Sequence, residues 1–227
     1  QFAQLTPGRK PERFGTDRQD GMPVFAVNRA HGYWIDKGQL MRDGRLGSVY
    51  MGDVLAGQTR IWVGPAFGFG LYRAAGLCVA FLFDAEQPGI NDRVALPIVR
   101  GRLIDATCVF SDKHCWFFTA TQEGGRTIHR CLVIRRNGMV DATAQAAEGD
   151  GTWLGTIHGK CVAGRSLFAP TDDGIVRVDL SPPDIQVTRT FSDTERFVDS
   201  QSTLFAGNDG LYVVNEQDIL LLKVKGA

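Results

Sequence analysis

Residues 203–216 read TLFAGNDGLYVVNE, and residues 166–180 read SLFAPTDDGIVRVDL. Each carries Leu-Phe-Ala, a turn that ends in Asp-Gly, and a second apolar run, with Phe168 and Phe205 marking copies about 37 residues apart. Asp-Gly and Asn-Gly pairs supply the positive φ angles of tight hairpins, so each copy reads as two antiparallel strands joined by a short turn. A third copy is TRIWVGPAFGFGLYRAAG (59–76), where Trp62-Val63-Gly64 stands for Phe205-Ala206-Gly207 and Gly70-Leu71-Tyr72 for Gly210-Leu211-Tyr212. VFAVNRAHGYWIDKG (24–38) and CWFFTATQEGGRTIHRCLVI (115–134) are weaker copies, the second with a longer hairpin.

The same texture fills the chain between the copies. PVFAVNR (23–29), LCVAFLF (77–83), RCLVIRR (130–136) and GIVRVDL (174–180) are short β-branched and aromatic runs, and they alternate with the turn clusters RDGR, EGGR, RNGM, DDGI and NDGL. Few windows keep apolar residues at helical spacing without Gly or Pro intervening, so the chain is expected to be all-β. Residues 1–22, polar and rich in Pro, Gly and charge, read as a linker or flexible tail, which suits a domain of a longer protein. The remaining residues, 23–227, divide into five units of about 41, the length of a four-stranded propeller blade. The expected fold is therefore a β-propeller of about five four-stranded blades, either a closed ring or part of a larger propeller. The first unit (23–55) and the last (195–227) each read one strand short, which suits a ring clasped by its termini as well as an open segment.

Composition narrows the function classes. Lys plus Arg number 25 and Asp plus Glu 25, so the basic excess that neutralises nucleic-acid phosphates is absent. The longest apolar runs, 77–83 and 219–224, fall well short of the roughly 18 residues that cross a bilayer, so no membrane segment is expected. Five cysteines, Cys78, Cys108, Cys115, Cys131 and Cys161, are an odd number, and most sit in apolar runs. That pattern points to reduced core thiols and a cytoplasmic compartment.

IWVGPAFGFGLYRA (61–74) and LFAGNDGLYVV (204–214) resemble the propeller repeats found beside bacterial two-component sensors and, more loosely, quinoprotein blades. A fainter resemblance is to the bacterial propeller domains that accompany MoxR-type ATPases and von Willebrand A domains. The resemblance implies a propeller fold and, in the second case, a protein partner that is an ATPase or a von Willebrand A protein. The tryptophan-rich docking repeats of quinoprotein blades are not evident, since the tryptophans are Trp34, Trp62, Trp116 and Trp153. No cofactor is expected.

Cys108, His114, Cys115, His129, Cys131, His158 and Cys161 crowd one third of the chain and raise the question of zinc, which takes thiolate and imidazole ligands. Their spacings contain no C-x2-C knuckle. Strand alternation puts His129 and Cys131 on one face but His114 and Cys115 on opposite faces. Core thiols and hairpin-tip histidines are the expectation, with no metal; a site between blades would draw on His129, Cys131, His158 and Cys161. Acids such as Asp172, Asp173 and Asp209 fall in Asp-Gly turns, where backbone geometry selects them, so no catalytic residue is assigned. No G-x-S-x-G elbow, Walker loop or H-E-x-x-H motif occurs. The glycine string 64–70 precedes a strand rather than a helix and does not read as a phosphate loop. Its Phe67 and Phe69 serve either the core, the heavier reading, or a contact patch. With Arg100 and Arg102 they are the candidate partner-binding residues, and Arg135 and Arg136 offer a second basic rim. The expected function is a non-catalytic scaffold that docks a protein partner through its loops. The alternative is a carbohydrate- or lactone-acting enzyme, or a small-ligand binder, with acids and histidines converging at the axial opening.

Overall fold

A computed structural model of the chain describes residues 18–19, 22–54, 58–74, 77–94, 101–150, 152–193, 197–216 and 218–223. Among these residues every regular element is a strand. β1 (Arg18–Gln19) and β2 (Met22–Pro23) pair as a short hairpin, so the end of the expected linker is strand, while 1–17 lie outside the described residues. Five antiparallel sheets follow in chain order, each a meander in which every strand pairs with its successor. The first holds β3 (Phe25–Val27), β4 (Gly32–Asp36), β5 (Gln39–Gly44) and β6 (Gly47–Asp53). The second holds β7 (Gln58–Val63), β8 (Phe67–Ala74), β9 (Leu77–Asp84) and β10 (Ile90–Val94). The third holds β11 (Arg102–Phe110), β12 (His114–Glu123), β13 (Arg126–Arg135) and β14 (Val140–Ala147). The fourth holds β15 (Cys161–Ala163), β16 (Ser166–Thr171), β17 (Gly174–Ser181) and β18 (Asp184–Ser192). The fifth holds β19 (Thr203–Gly207), β20 (Gly210–Val214) and β21 (Ile219–Leu222). The first strands of successive sheets, β3, β7, β11, β15 and β19, are neighbours in that order.

Rows of apolar side chains that run across the strands hold neighbouring sheets together. In the third sheet Val109, Trp116, Val133 and Ala142 stand opposite one another across all four strands. They pack against Val162, Leu167 and Val178, a row of the fourth sheet. On its other face Phe110, Cys115, Ile134 and Val140 form a second row, which meets Trp62, Phe69 and Leu82 of the second sheet. Because both faces are covered, these strands are apolar at odd and even positions alike, which is why they read as continuous hydrophobic runs. Ile35, Leu40, Ile61, Phe81 and Phe83 join the first sheet to the second, and Cys161, Phe168, Leu204 and Val213 join the fourth to the fifth.

The glycine string at 64–70 is mostly strand. Its turn is Pro65-Ala66, closed by the Gly64 N–H donating to the Phe67 carbonyl at 2.9 Å. Gly68 and Gly70 lie within β8, where an added Cβ would stand 1.9 Å from the Phe83 ring and 2.0 Å from the Phe81 ring. Their lack of a side chain lets both rings lie across β8 toward the first sheet. The strand register also shifts the third repeat copy. Phe69 faces Trp62 as Tyr212 faces Phe205, so Phe69 rather than Tyr72 is the counterpart of Tyr212.

The strand count departs from expectation in the first sheet and agrees with it in the fifth. The first sheet has all four strands, and the turn expected at Asp43-Gly44 falls at Arg45-Leu46 instead. The fifth has three. Val198, seven residues before Phe205 as Cys161 is seven before Phe168, is buried in the same core, but its segment is tied by side chains. The Val198 N–H donates to Asp193 Oδ2 at 2.5 Å, and Asn215 Nδ2 donates to the Phe197 carbonyl at 2.9 Å.

Gly68→Ala forces the Phe83 ring from its seat, and overpacking of this kind costs about 1–3 kcal/mol or more. Urea unfolding of the variant is expected to show a lower midpoint at unchanged slope. A midpoint equal to that of the parent would show that the ring does not lie against this strand.

Candidate functional site

Three sheets contribute to one polar cluster at their first strands. A bulge between Leu103 and Asp105 shifts the register of β11 and sets the Asp105 carboxylate between neighbours from either side. Arg60 Nη1 of β7 donates to Asp105 Oδ1 at 2.9 Å, the Ala106 N–H donates to the same oxygen at 2.7 Å, and His158 Nε2, before β15, lies 2.8 Å from Oδ2. Burial raises the Asp105 pKa, but the His158, Ala106 and Arg60 contacts outweigh it and leave the carboxyl below its usual range. The carboxylate is thereby committed to structural partners from three directions.

Lys160 lies just beyond His158. It is buried, its ammonium donates to the Thr156 carbonyl, and its Nζ stands 4.9 Å from the centre of the Phe118 ring. Burial lowers its pKa from 10.5 to about 7, against a smaller upward pull from Cys131. No sequence signal marks this lysine, which lies in the loop between β14 and β15.

The cysteines and histidines do not assemble. His129 and Cys131 share a face of β13 and look toward the fourth sheet, with His129 Nδ1 buried and lacking a hydrogen-bond partner among the described residues. Cys161 lies on the far face of the fourth sheet, in the core shared with the fifth, and the exposed His158 is bound to Asp105. Among the described residues no group of three or more potential ligands could hold a metal. Burial raises the Cys108 and Cys131 thiols well above their ordinary pKa and pushes Cys161 up to about 12, so these sulfurs stay protonated. Phe67 and Phe69 are fully buried between the second and third sheets, where the core and not a partner contacts them. Arg102 is exposed at the start of β11, and Arg100 lies outside the described residues.

A basic cleft opens at the hairpin tips of the third and fourth sheets, at the far end of β11 from Asp105. Two adjoining hollows of about 390 and 630 Å³ share Asp112, Lys113, His114 and Leu180. Trp116 and Arg165 line the first, and Arg135, Arg136, Asn137, Asp141 and Pro182 the second. The nearly buried Asp141 carboxylate accepts from Arg135 Nε at 2.7 Å and lies 3.0 Å from His114 Nε2. Arg136 reaches out of the cleft to Asp84 of the second sheet. Lys113 and Arg165, which sit on facing hairpin tips, have no carboxylate partner among the described residues. Four cations, Lys113, Arg135, Arg136 and Arg165, against two carboxylates, Asp112 and Asp141, leave the lining of the two hollows with a net positive charge. Of these residues only Arg135 and Arg136 were legible as a rim in the sequence; Lys113 and Arg165 are single cations in separate turns, and only folding brings them together.

No protein-family model matches this sequence, and no curated protein matches it significantly.

The Lys160 amine binds fewer protons in the folded state than in the unfolded chain between pH 7 and 10.5, so stability is expected to rise with pH across that window. Lys160→Met is expected to flatten the rise in a pH series of thermal melts. An equal slope in parent and variant would place the titration elsewhere.

Proposed function

We propose that this chain is a non-catalytic interaction module of β-propeller type, whose blades are the five sheets and whose basic cleft docks a protein partner. The observation that carries this reading is the placement of Lys113 and Arg165, neither in an ion pair among the described residues, across the joint between two sheets. Neighbouring first strands and successive four-stranded meanders support a blade arrangement around a common axis. Protonated, buried thiols and a carboxylate already held by three donors support a binding role over turnover. The free cysteines suit a reducing, cytoplasmic setting, and no helix among the described residues is long and apolar enough to cross a membrane. An ATPase or a von Willebrand A protein is the partner class that the sequence resemblance suggests.

The alternative, an enzyme or small-ligand binder with its site at the axis, draws on the convergence of Arg60, Asp105 and His158 from three successive sheets. Glycoside hydrolysis needs two carboxyls about 5 to 9 Å apart, one of them free to move a proton. Asp105 accepts from His158, Arg60 and the Ala106 N–H, so it favours a structural tie.

The immobilised domain is expected to retain a stoichiometric partner from lysate of its native host, identified by mass, that the charge-reversed Lys113→Glu/Arg165→Glu variant loses by tenfold or more. Raised salt should weaken capture by the parent, since exposed charges are screened. Equal retention by parent and variant, with both folded by circular dichroism, would remove the cleft from the account.

A further inference from the structure

The walls of the basic cleft are tight turns, each closed by its own bonds. Lys113 stands at the tip between β11 and β12, where the Ser111 N–H donates to the His114 carbonyl at 2.9 Å and the His114 N–H donates to Ser111 Oγ at 3.1 Å. Arg165 comes from the two-residue turn Gly164-Arg165, which the pairing of Ala163 with Ser166 closes and in which Gly164 takes a left-handed φ of 62°. On the remaining sides the Gly138 N–H donates to the Arg135 carbonyl at 2.8 Å, the Met139 N–H donates to Asn137 Oδ1 at 3.1 Å, and Ser181 pairs with Asp184 around Pro182 and Pro183. A preformed wall of this kind spares a ligand the cost of ordering loops.

The lining between these turns is mixed in chemistry and spread in space. Asp141 holds Arg135 and Asp84 holds Arg136, whereas Lys113, Arg165 and Asp112, all exposed, stand in no ion pair among the described residues. Lys113 and Asp112 belong to both hollows and Arg165 to the first; Trp116 and Leu180 give the first an apolar side, Leu180 and Pro182 the second. A compact phosphate is held best by cations that converge on it. Here the cations are distributed over hollows of about 390 and 630 Å³, and the Asp112 carboxylate between them repels a lone anion and the phosphates of a polyanion alike. An extended polypeptide meets every part of this lining. It offers separate carboxylates to Lys113 and Arg165, an apolar side chain to Leu180 and Trp116, and N–H groups to the acceptor oxygens of Asp112.

We propose that the cleft takes an extended acidic segment of its protein partner, one that sets an apolar side chain against Leu180 between carboxylates held by Lys113 and Arg165. The inference rests on the cleft being the docking site and adds what the partner presents there. Arg165 supplies a planar fork that meets a carboxylate with two N–H groups, and Lys113 a point charge that follows its partner. Exposed ion pairs contribute little one by one, so the apolar side chain carries a share of the affinity, and salt weakens binding without abolishing it.

Selection of short random peptides displayed on phage against the immobilised whole chain tests the inference, with fluorescence anisotropy of the enriched peptides as the second step. Enriched sequences are expected to carry Asp or Glu on both sides of an apolar residue and to lose tenfold or more in affinity for the Lys113→Gln/Arg165→Gln variant. Both substitutions fall at exposed turn positions, and circular dichroism of the variant checks its fold. Serine in place of the peptide's apolar residue is expected to weaken binding at least threefold. Enriched peptides without an acidic excess, a selection that enriches nothing, or inorganic tripolyphosphate that binds as tightly as the peptides would each overturn the proposal. A lysate partner whose capture depends on Lys113 and Arg165 while the selected peptides show no acidic excess would leave the docking site standing and sink this inference alone.

Discussion

A sheet that is apolar on both faces needs a neighbour on each side, and that requirement shapes this molecule. Exposed apolar surface costs roughly 25 cal/mol for every Å² that packing would remove from water. The middle sheets avoid the cost only by standing between two others. Between the second and third sheets the requirement is met by rings: Phe69 lies 4.7 Å from Phe117 and Phe67 lies 5.4 Å from Phe110, centre to centre. Gly68 and Gly70 serve the same end from within, since their bare backbone makes room for the Phe81 and Phe83 rings that reach the first sheet.

Polar contacts supplement these joints. Arg42 of the first sheet donates to the Ala85 carbonyl of the second at 2.8 Å, Arg136 of the third pairs with Asp84, and Asp105 links the second, third and fourth. The Asp84 carboxyl is raised by burial yet lies below its usual range, because the Glu86 and Gln87 amides and the Arg136 guanidinium favour its charged form. These ties fix how each sheet sits on the next. They also spend charges that composition alone would count as surface, and leave Lys113 and Arg165, together with Asp112, outside the ion pairs of the cleft.

Strand content and the turns at Gly174 and Gly210 were legible because both follow from local chemistry. Gly174 and Gly210 close matching turns, and at each an added Cβ would strike a strand carbonyl, at 2.2 Å from Phe191 and 2.3 Å from Leu222. A constraint of that kind leaves its mark at one position. The alignment of 59–76 slipped because glycine there answers to rings above the strand rather than to a turn, and sequence does not distinguish the two uses. The site was legible only in its Arg135-Arg136 half. Arg60, Asp105 and His158 are 45 and 53 residues apart along the chain, and no local pattern announces a contact that inter-sheet packing creates.

The central claim is that successive sheets are joined face to face through their cross-strand rows, and the contact between Phe69 and Phe117 tests it most directly. A double-mutant cycle with Phe69→Leu and Phe117→Leu, read by urea unfolding, measures the coupling of two rings that belong to different sheets and are 48 residues apart in sequence. Aromatic pairs in this geometry couple by about 0.5–1.5 kcal/mol, and a value in that range is the predicted result. Additive losses would show that the two rings do not touch and that the second and third sheets are not stacked as described.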